Sequence, residues 1–374
     1  AREILEDLAA AARILANEGV VDGFGHVTMR HPSAPDRYLM SRSKAPALQE
    51  PDDIIEFDLD SNPVDANGRP TFLERFIHGG IYRGVSLITA SPFAFDLLDH
   101  GGPGLYLSTP SVDPAKAEVS ARMKLRNADS KHHMGDVRLT IRDQAGELVA
   151  QGQTRTSTGG WRPGLADDGE MRLTIPKPRL WNGAADPYLY SATAELIEGK
   201  RVLDTVTQSF GIRSFEFDAN EGFALNGKYL KLHGVSRHQD RAGRGWALTR
   251  ADHAEDMALI KEIGANTVRH AHYQHADEWS DEADKAGMIV WAEVPYVTAP
   301  SLSGGQGSPE LWANAEQQLR ELIRQNTNHP SIAMWSIGNE VDIAKGFGMA
   351  GDPPKSLPLL QHLQKVAKEE DPSR

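Results

Sequence analysis

Apolar and polar positions recur along this chain in three different rhythms. In the first, Ile4, Leu5, Leu8, Ala11, Ala12 and Leu15 fall at helical spacing, which predicts an opening amphipathic helix that Gly19 terminates. Short strand-like runs follow at 25–30, 37–41 and 54–58, then the mixed string 70–78. This α/β texture, residues 1–78, breaks off before a domain-sized core can form.

From 105 to 217 the period is two. Val119, Ala121, Met123 and Leu125 alternate with Ser120, Arg122, Lys124 and Arg126, and Val137, Leu139 and Ile141 repeat the pattern before a turn at 143–146. Met171, Leu173 and Ile175 continue it, as do 189–197 and 202–210. Short alternating strands separated by polar turns predict an antiparallel β-sandwich of immunoglobulin type, without helices. From 218 onward the rhythm becomes strand, helix, strand. Strands are expected at 229–235, 266–271, 288–292 and through Trp335. Helices are expected at 252–263, at 278–286 and after Ser308, where Pro309 suits the first helical position. Repetition of this kind means a parallel sheet. The stretch 218–374 is well short of the roughly 250 residues of a complete (β/α)8 TIM barrel, so four units predict about half of one.

The totals narrow the function classes. A formal charge of −12 argues against nucleic acid or an anionic membrane as partner. No apolar run approaches the roughly 18 residues of a membrane span. The absence of cysteine excludes disulfides, thiolate nucleophiles and Cys-based zinc sites, and leaves the compartment open. The chain opens at Ala1 inside a helical pattern and closes on Asp371-Pro372-Ser373-Arg374, so both ends are expected to be cut.

Candidate chemistry concentrates in Trp335-Ser336-Ile337-Gly338-Asn339-Glu340. A buried strand that delivers a carboxylate at its C-terminal tip, beside an amide able to bind a sugar hydroxyl, suits a general acid for glycosidic bond cleavage. That reaction needs a second carboxylate, expected to lie beyond Arg374. His270, His272 and His275 offer an alternative, a zinc site, since an H-x-H pair on a strand shares one face; Arg269 alongside would repel the cation. Glu293 ends the third strand of this region and reads as a supporting hydrogen-bonding group or a divalent-ion ligand. His132-His133 reads as an exposed hairpin feature.

From about Gly79 to the end the chain resembles glycoside hydrolase family 2, which includes β-galactosidases and β-glucuronidases. The strings that carry the resemblance are Gly79-Gly80-Ile81-Tyr82-Arg83, Leu180-Trp181 with Pro187-Tyr188-Leu189-Tyr190, and Leu225-Asn226-Gly227-Lys228 through Gly234-Val235-Ser236-Arg237-His238. Asn266-Thr267-Val268-Arg269 with His272-Tyr273, and the Trp335 string, complete it. It implies a jelly-roll remnant and linker at 79–104, the sandwich at 105–217 and the N-terminal half of a TIM-barrel catalytic domain at 218–374. It also implies Glu340 as acid/base, Asn339 on the sugar 2-hydroxyl, His238 and His272 lining the sugar site, and Arg269 near the nucleophile. The nucleophile itself, near strand seven in the family, has no counterpart here, so the chain alone is expected to turn over little or nothing. The implied activity is a retaining, β-galactosidase-like hydrolysis of terminal β-linked sugars, with a carbohydrate substrate and without cofactor or metal. Open barrel edges imply self-association.

Residues 1–83 resemble the N-terminal part of the class II aldolase/adducin family, through Gly25-His26-Val27-Thr28-Met29-Arg30-His31-Pro32, Tyr38-Leu39-Met40-Ser41-Arg42 and Glu74-Arg75-Phe76-Ile77-His78. Glu74 would match that family's acid/base carboxylate, but the metal-binding His-x-His pair expected after Ile81-Tyr82-Arg83 is absent. The resemblances together imply a chimera of two fragments. Two other readings remain beside the glycosidase: a metal-dependent aldolase or decarboxylase, and a non-catalytic carbohydrate-binding sandwich.

Overall fold

A computed structural model describes residues 2–18, 27–42, 44, 46–59, 64, 83–158, 168–241, 244–297, 307–341 and 356–374. Gly19, Gly25-His26, Glu74 and the 70–82 strings lie outside these residues. The chain divides into two compact units, one of residues 1–87 with 240–248, the other of 88–239 with 249–374. Among the described residues no helix is long and apolar enough to cross a membrane.

In the first unit, α1 (Arg2–Asn17) buries Leu8, Ala9 and Ala12, the face its spacing predicts. Strands β1 (Thr28–Arg30), β2 (Arg37–Ser41) and β3 (Ile54–Asp58) form an antiparallel meander in that order. Leu8 packs with Leu39 and Ile54 on one side of the sheet, while Phe57 stacks on Tyr38 at 5.3 Å beside Met40 and Ile55.

The second unit begins with the sandwich. Its strands are β4 (Phe93–Phe95), β5 (Leu105–Val112), β6 (Lys116–Met123), β7 (Leu125–Asn127), β8 (Met134–Arg142), β9 (Leu148–Ser157), β10 (Gly169–Pro176), β11 (Tyr190–Glu198) and β12 (Arg201–Phe210). One sheet has the order β10-β6-β5, the other β12-β11-β8-β9, and every pairing is antiparallel. Strict alternation explains the core. Val119, Ala121 and Met123, Val137, Leu139 and Ile141, and Ala192, Ala194 and Leu196 all point inward and are buried. With no disulfide available, packing alone holds the two sheets, and truncating any one of the buried Leu or Ile side chains would cost about 2–5 kcal/mol.

A small antiparallel sheet follows, β13 (Phe215–Asp218), β14 (Gly222–Leu225) and β15 (Lys228–Tyr229). The expected strand at 229–235 is therefore two pieces: Tyr229 ends a hairpin, and the barrel strand starts at Gly234. The cause is local. Asn226 and Gly227 both have positive φ, 52° and 70°, the two-residue turn that an Asn-Gly pair favours between twisted strands. The Asn226 side chain fixes the turn, accepting from Ser214 N and donating to Trp181 O.

The remainder alternates: β16 (Gly234–Arg237), α2 (Arg250–Glu262), β17 (Thr267–His270), α3 (Asp277–Ala286), β18 (Ile289–Glu293), α4 (Pro309–Asn326), β19 (Ile332–Ser336) and α5 (Leu357–Glu370). The four strands are parallel in the order β16-β17-β18-β19, half the number of a closed barrel. Thr249 and Asp252 form a capping box on α2, and Ser308 caps α4 just before Pro309. Gly287 closes α3 in the left-handed region at φ 69°, where a Cβ would collide with the Gly183 main chain of the sandwich. On the helix side of the sheet, Val268, Val290, Ala292, Ile332 and Trp335 share a core with Trp279, Leu319 and Leu363. In β19 one extra residue, Ala333, stands between Ile332, opposite Val290, and Met334, opposite Trp291. This bulge keeps Ile332 and Trp335 on the helix side and turns Met334 and Ser336 to the other.

Candidate active site

The face of the four-stranded sheet opposite the helices presents Thr267, Arg269, Ile289, Trp291 and Met334 around a depression of about 290 Å³. Its floor is apolar and Trp291 is 38% exposed. Apart from Thr267, polar groups gather toward the C-terminal tips of the strands: Arg269 lies opposite Trp291 on β18, and Glu293 opposite Ser336 on β19.

Glu293 occupies the centre with its side chain fully buried. Oε2 accepts from Arg269 Nε at 2.9 Å and from Ser336 Oγ at 2.7 Å. Oε1 accepts from Arg269 Nη2 at 3.0 Å and pairs with His272 Nδ1 at 2.7 Å. Arg269 Nη2 also donates to Asn339 Oδ1 at 2.6 Å. Asn339 is buried, and its own N–H donates to Tyr296 O at 2.9 Å, extending the β18–β19 pairing beyond the strands. The rings of His272 and His238 meet edge to face at 5.1 Å, and Tyr273 lies 6.1 Å from His238. The tyrosine hydroxyl accepts from Gln239 N at 2.9 Å, which ties the end of β16 to the loop after β17.

Four of the five residues singled out in the sequence, His238, Arg269, His272 and Asn339, thus form one connected group. Glu340, the fifth, follows Asn339 directly. It is exposed and its backbone is left-handed, with φ 50°, an uncommon conformation for a glutamate. Ser336 and Gln239 were not anticipated. A serine directly after the apolar Ile332-Ala333-Met334-Trp335 run is the available signal for the first.

The zinc alternative requires correction. Strand β17 ends at His270, so the two-residue periodicity does not carry to His272, and the histidines lie on opposite faces. His270 accepts from Trp279 Nε1 at 2.9 Å and stacks on His275 at 4.2 Å within the helix-side core. Burial, reinforced by the Arg237 charge, pushes its pKa down to about 3, so it remains a neutral core histidine. Arg237 belongs to that same side, paired with Asp256 and lying over the Trp279 ring at 4.0 Å.

Comparison with known proteins bears on the domains that carry these residues. Residues 218–374 match the TIM barrel domain of glycosyl hydrolases family 2, residues 106–213 match a second model of glycosyl hydrolases family 2, and residues 6–91 match the class II aldolase and adducin N-terminal domain. A β-glucuronidase of Bacteroides fragilis is 39% identical over 299 residues, covering 79% of this chain and 41% of that protein. A β-galactosidase of Bacteroides ovatus is 33% identical over 267 residues, 70% of this chain and 30% of its own length. Among solved structures, the Bacteroides uniformis β-glucuronidase superposes with a TM-score of 0.69 at 33% identity, over 76% of this chain and 34% of that one. The chain therefore spans well under half the length of these relatives. Residues 106–213 and 218–374 belong to glycosyl hydrolases family 2, while residues 6–91 carry only the match to the class II aldolase and adducin N-terminal domain.

Proposed function

We propose that residues 218–374 carry the acid/base side of a retaining β-glycosidase site whose substrates are β-glucuronides. The observation that carries the reading is the adjacency of Glu340 to an Asn339 whose amide oxygen is gripped by Arg269 at the tips of parallel strands, where barrel enzymes gather their chemistry. In this reading Glu340 protonates the leaving-group oxygen and then takes a proton from the water that hydrolyses the glycosyl-enzyme. The Asn339 amide binds the sugar 2-hydroxyl, an interaction that strengthens toward the oxocarbenium-like transition state. His238 and His272 flank the ring. The sugar follows the relatives: where the sequence resemblance pointed to β-galactosides, the names β-glucuronidase of Bacteroides fragilis and of Bacteroides uniformis favour the uronide. The division at 78, 104 and 217 into aldolase-like segment, linker, sandwich and half-barrel belongs to the same reading.

Retention requires a second carboxylate about 5 Å from the first. The family resemblance places it near a seventh strand, beyond the four strands found here. The 374-residue polypeptide assayed alone should therefore release no nitrophenol from nitrophenyl β-glucuronide above background, since losing one member of a catalytic unit costs several orders of magnitude. Joining strands five to eight and a jelly-roll domain from a related enzyme should create β-glucuronidase activity that Glu340→Gln abolishes. Activity insensitive to Glu340→Gln would refute the assignment, and a preference for nitrophenyl β-galactoside would correct the sugar. Zinc-dependent aldol cleavage is no part of the reading, because no His-x-His pair follows shortly after Ile81-Tyr82-Arg83.

A further inference from the structure

We propose that Glu293 is a positioning residue that selects which atoms the sugar site presents: it fixes the orientation of the Asn339 amide and the tautomer of His272. The significance of those atoms for catalysis rests on the reading of Asn339 and Glu340 given above. The coupling itself rests on geometry alone.

A buried carboxylate is costly unless paired and hydrogen-bonded. Glu293 meets that condition without remainder, each oxygen taking two partners drawn from β17, the loop after it and β19. A carboxylate offers about four lone-pair sites, so none is left for a metal ion or for proton transfer with a substrate. Its effect passes through its neighbours. The two-point grip on Nε and Nη2 holds the Arg269 guanidinium in one plane, and that plane aims Nη2 at Asn339. Arginine only donates, so Oδ1 of Asn339 must face it and the amide NH2 must face away. The carboxylate only accepts, so His272 carries its proton on Nδ1 and leaves Nε2 for a ligand. His270, two residues before His272, pairs with Trp279 on the other face and makes no use of Glu293.

A glutamine at position 293 has nearly the same shape, but one of its two terminal atoms is a donor. Whichever way it turns, an amide N–H confronts an Arg269 N–H, with either the His272 or the Ser336 donor beside it.

The test follows the labelled 374-residue chain by NMR, reading the His272 ring nitrogens and the Asn339 side-chain amide, with the Trp279 indole N–H as an internal control. In Glu293→Gln the single-tautomer pattern of His272 should be lost and the Asn339 amide signals should shift and broaden, while the Trp279 signal stays in place. Ser336→Ala, which removes one bond and leaves the grip on Arg269, should keep the original pattern at both reporters. If Glu293→Gln unfolds the half-barrel, Arg269→Lys serves instead. Losing the planar fork should release the Asn339 amide and leave the His272 tautomer unchanged. Unchanged Asn339 and His272 signals in Glu293→Gln, or an unchanged Asn339 amide in Arg269→Lys, would overturn the proposal. No turnover is read in these spectra, so a failed Glu340 assignment in the hydrolysis assay and a failed Glu293 coupling are separate results.

Discussion

The side-chain amide of Asn328, at the end of the half-barrel's last helical crossover, closes onto the main chain of Leu107 in the sandwich. Its Oδ1 accepts from Leu107 N at 2.8 Å, and its Nδ2 donates to Leu105 O at 2.8 Å. The pair imitates one rung of a β-ladder between two folds that share no sheet. Asn328→Ala would strand a buried N–H and a buried C=O, and each such loss costs about 1–3 kcal/mol. Chemical denaturation should register about 2–5 kcal/mol of destabilisation, and Asn328→Asp, which keeps the acceptor but sets a buried carboxylate oxygen against Leu105 O and Gln208 Oε1, should lose no less.

Two left-handed glycines give a matched comparison. Gly264 and Gly287 both have positive φ, but a Cβ on Gly264 meets open space, whereas one on Gly287 meets the Gly183 carbonyl. Gly264→Ala should cost only the conformational penalty, about 1 kcal/mol. Gly287→Ala adds overpacking against main chain and should lose about 3 kcal/mol or more in the same denaturation experiment. Equal losses would mean that the sandwich yields at this point.

His329 makes stability depend on pH in a definite direction. Burial disfavours its charged ring, but the charge and hydrogen bond of Asp284, 2.7 Å from Nδ1, outweigh burial and raise its pKa above the usual 6.5. A group with a raised folded pKa stabilises fully below its unfolded value, and the contribution disappears as pH climbs through the folded one. Melting temperature should therefore fall on going from pH 6.5 upward, and His329→Asn should flatten that part of the profile. A mutant profile parallel to the original would assign the slope to other groups.

Among the described residues β16 and β19 are each paired on one side only, and Trp291 is exposed on the face opposite the helices, beyond the part that Phe223 and Leu225 cover at Ile289 and Ala333. Parallel sheets are normally covered on both faces, and open edges recruit partners. Sedimentation should show concentration-dependent association of the 374-residue chain, weakened by Trp291→Lys. A monodisperse species across the accessible concentration range would show that the face is satisfied in some other way.

Much of this architecture is legible in the sequence. Val119 through Met123 and Val137 through Ile141 alternate so strictly that one face of each strand had to be buried. The Ser308-Pro309 start of α4 is equally plain. The strand expected at 229–235 is not, because the Asn226-Gly227 turn ends a hairpin before the barrel strand begins. Arg269, His272 and Asn339 stand out by likeness to a family, and Glu293 reads from the sequence as a supporting hydrogen-bonding group whose partners no local pattern names. Residues 269, 272, 293, 336 and 339 are far apart along the chain, and only the parallel register brings them to one height. That register depends on neighbours no local pattern records. The H-x-H reading failed for a related reason: alternation holds only while the strand lasts, and β17 ends at His270.

The single extra residue in β19 works as a phase shifter. Before Ala333 the strand's inward and outward positions follow one parity, and after it they follow the other. Ser336 can reach Glu293, and Trp335 can reach Asp371 among the helices, only because the count has slipped by one. Were the same residues paired from Ile332 onward without the bulge, Trp335 rather than Ser336 would stand opposite Glu293, exchanging indole for hydroxyl at the tip of the sheet. The chemistry of this site is therefore encoded as much in how many residues precede Asn339 as in which residues they are.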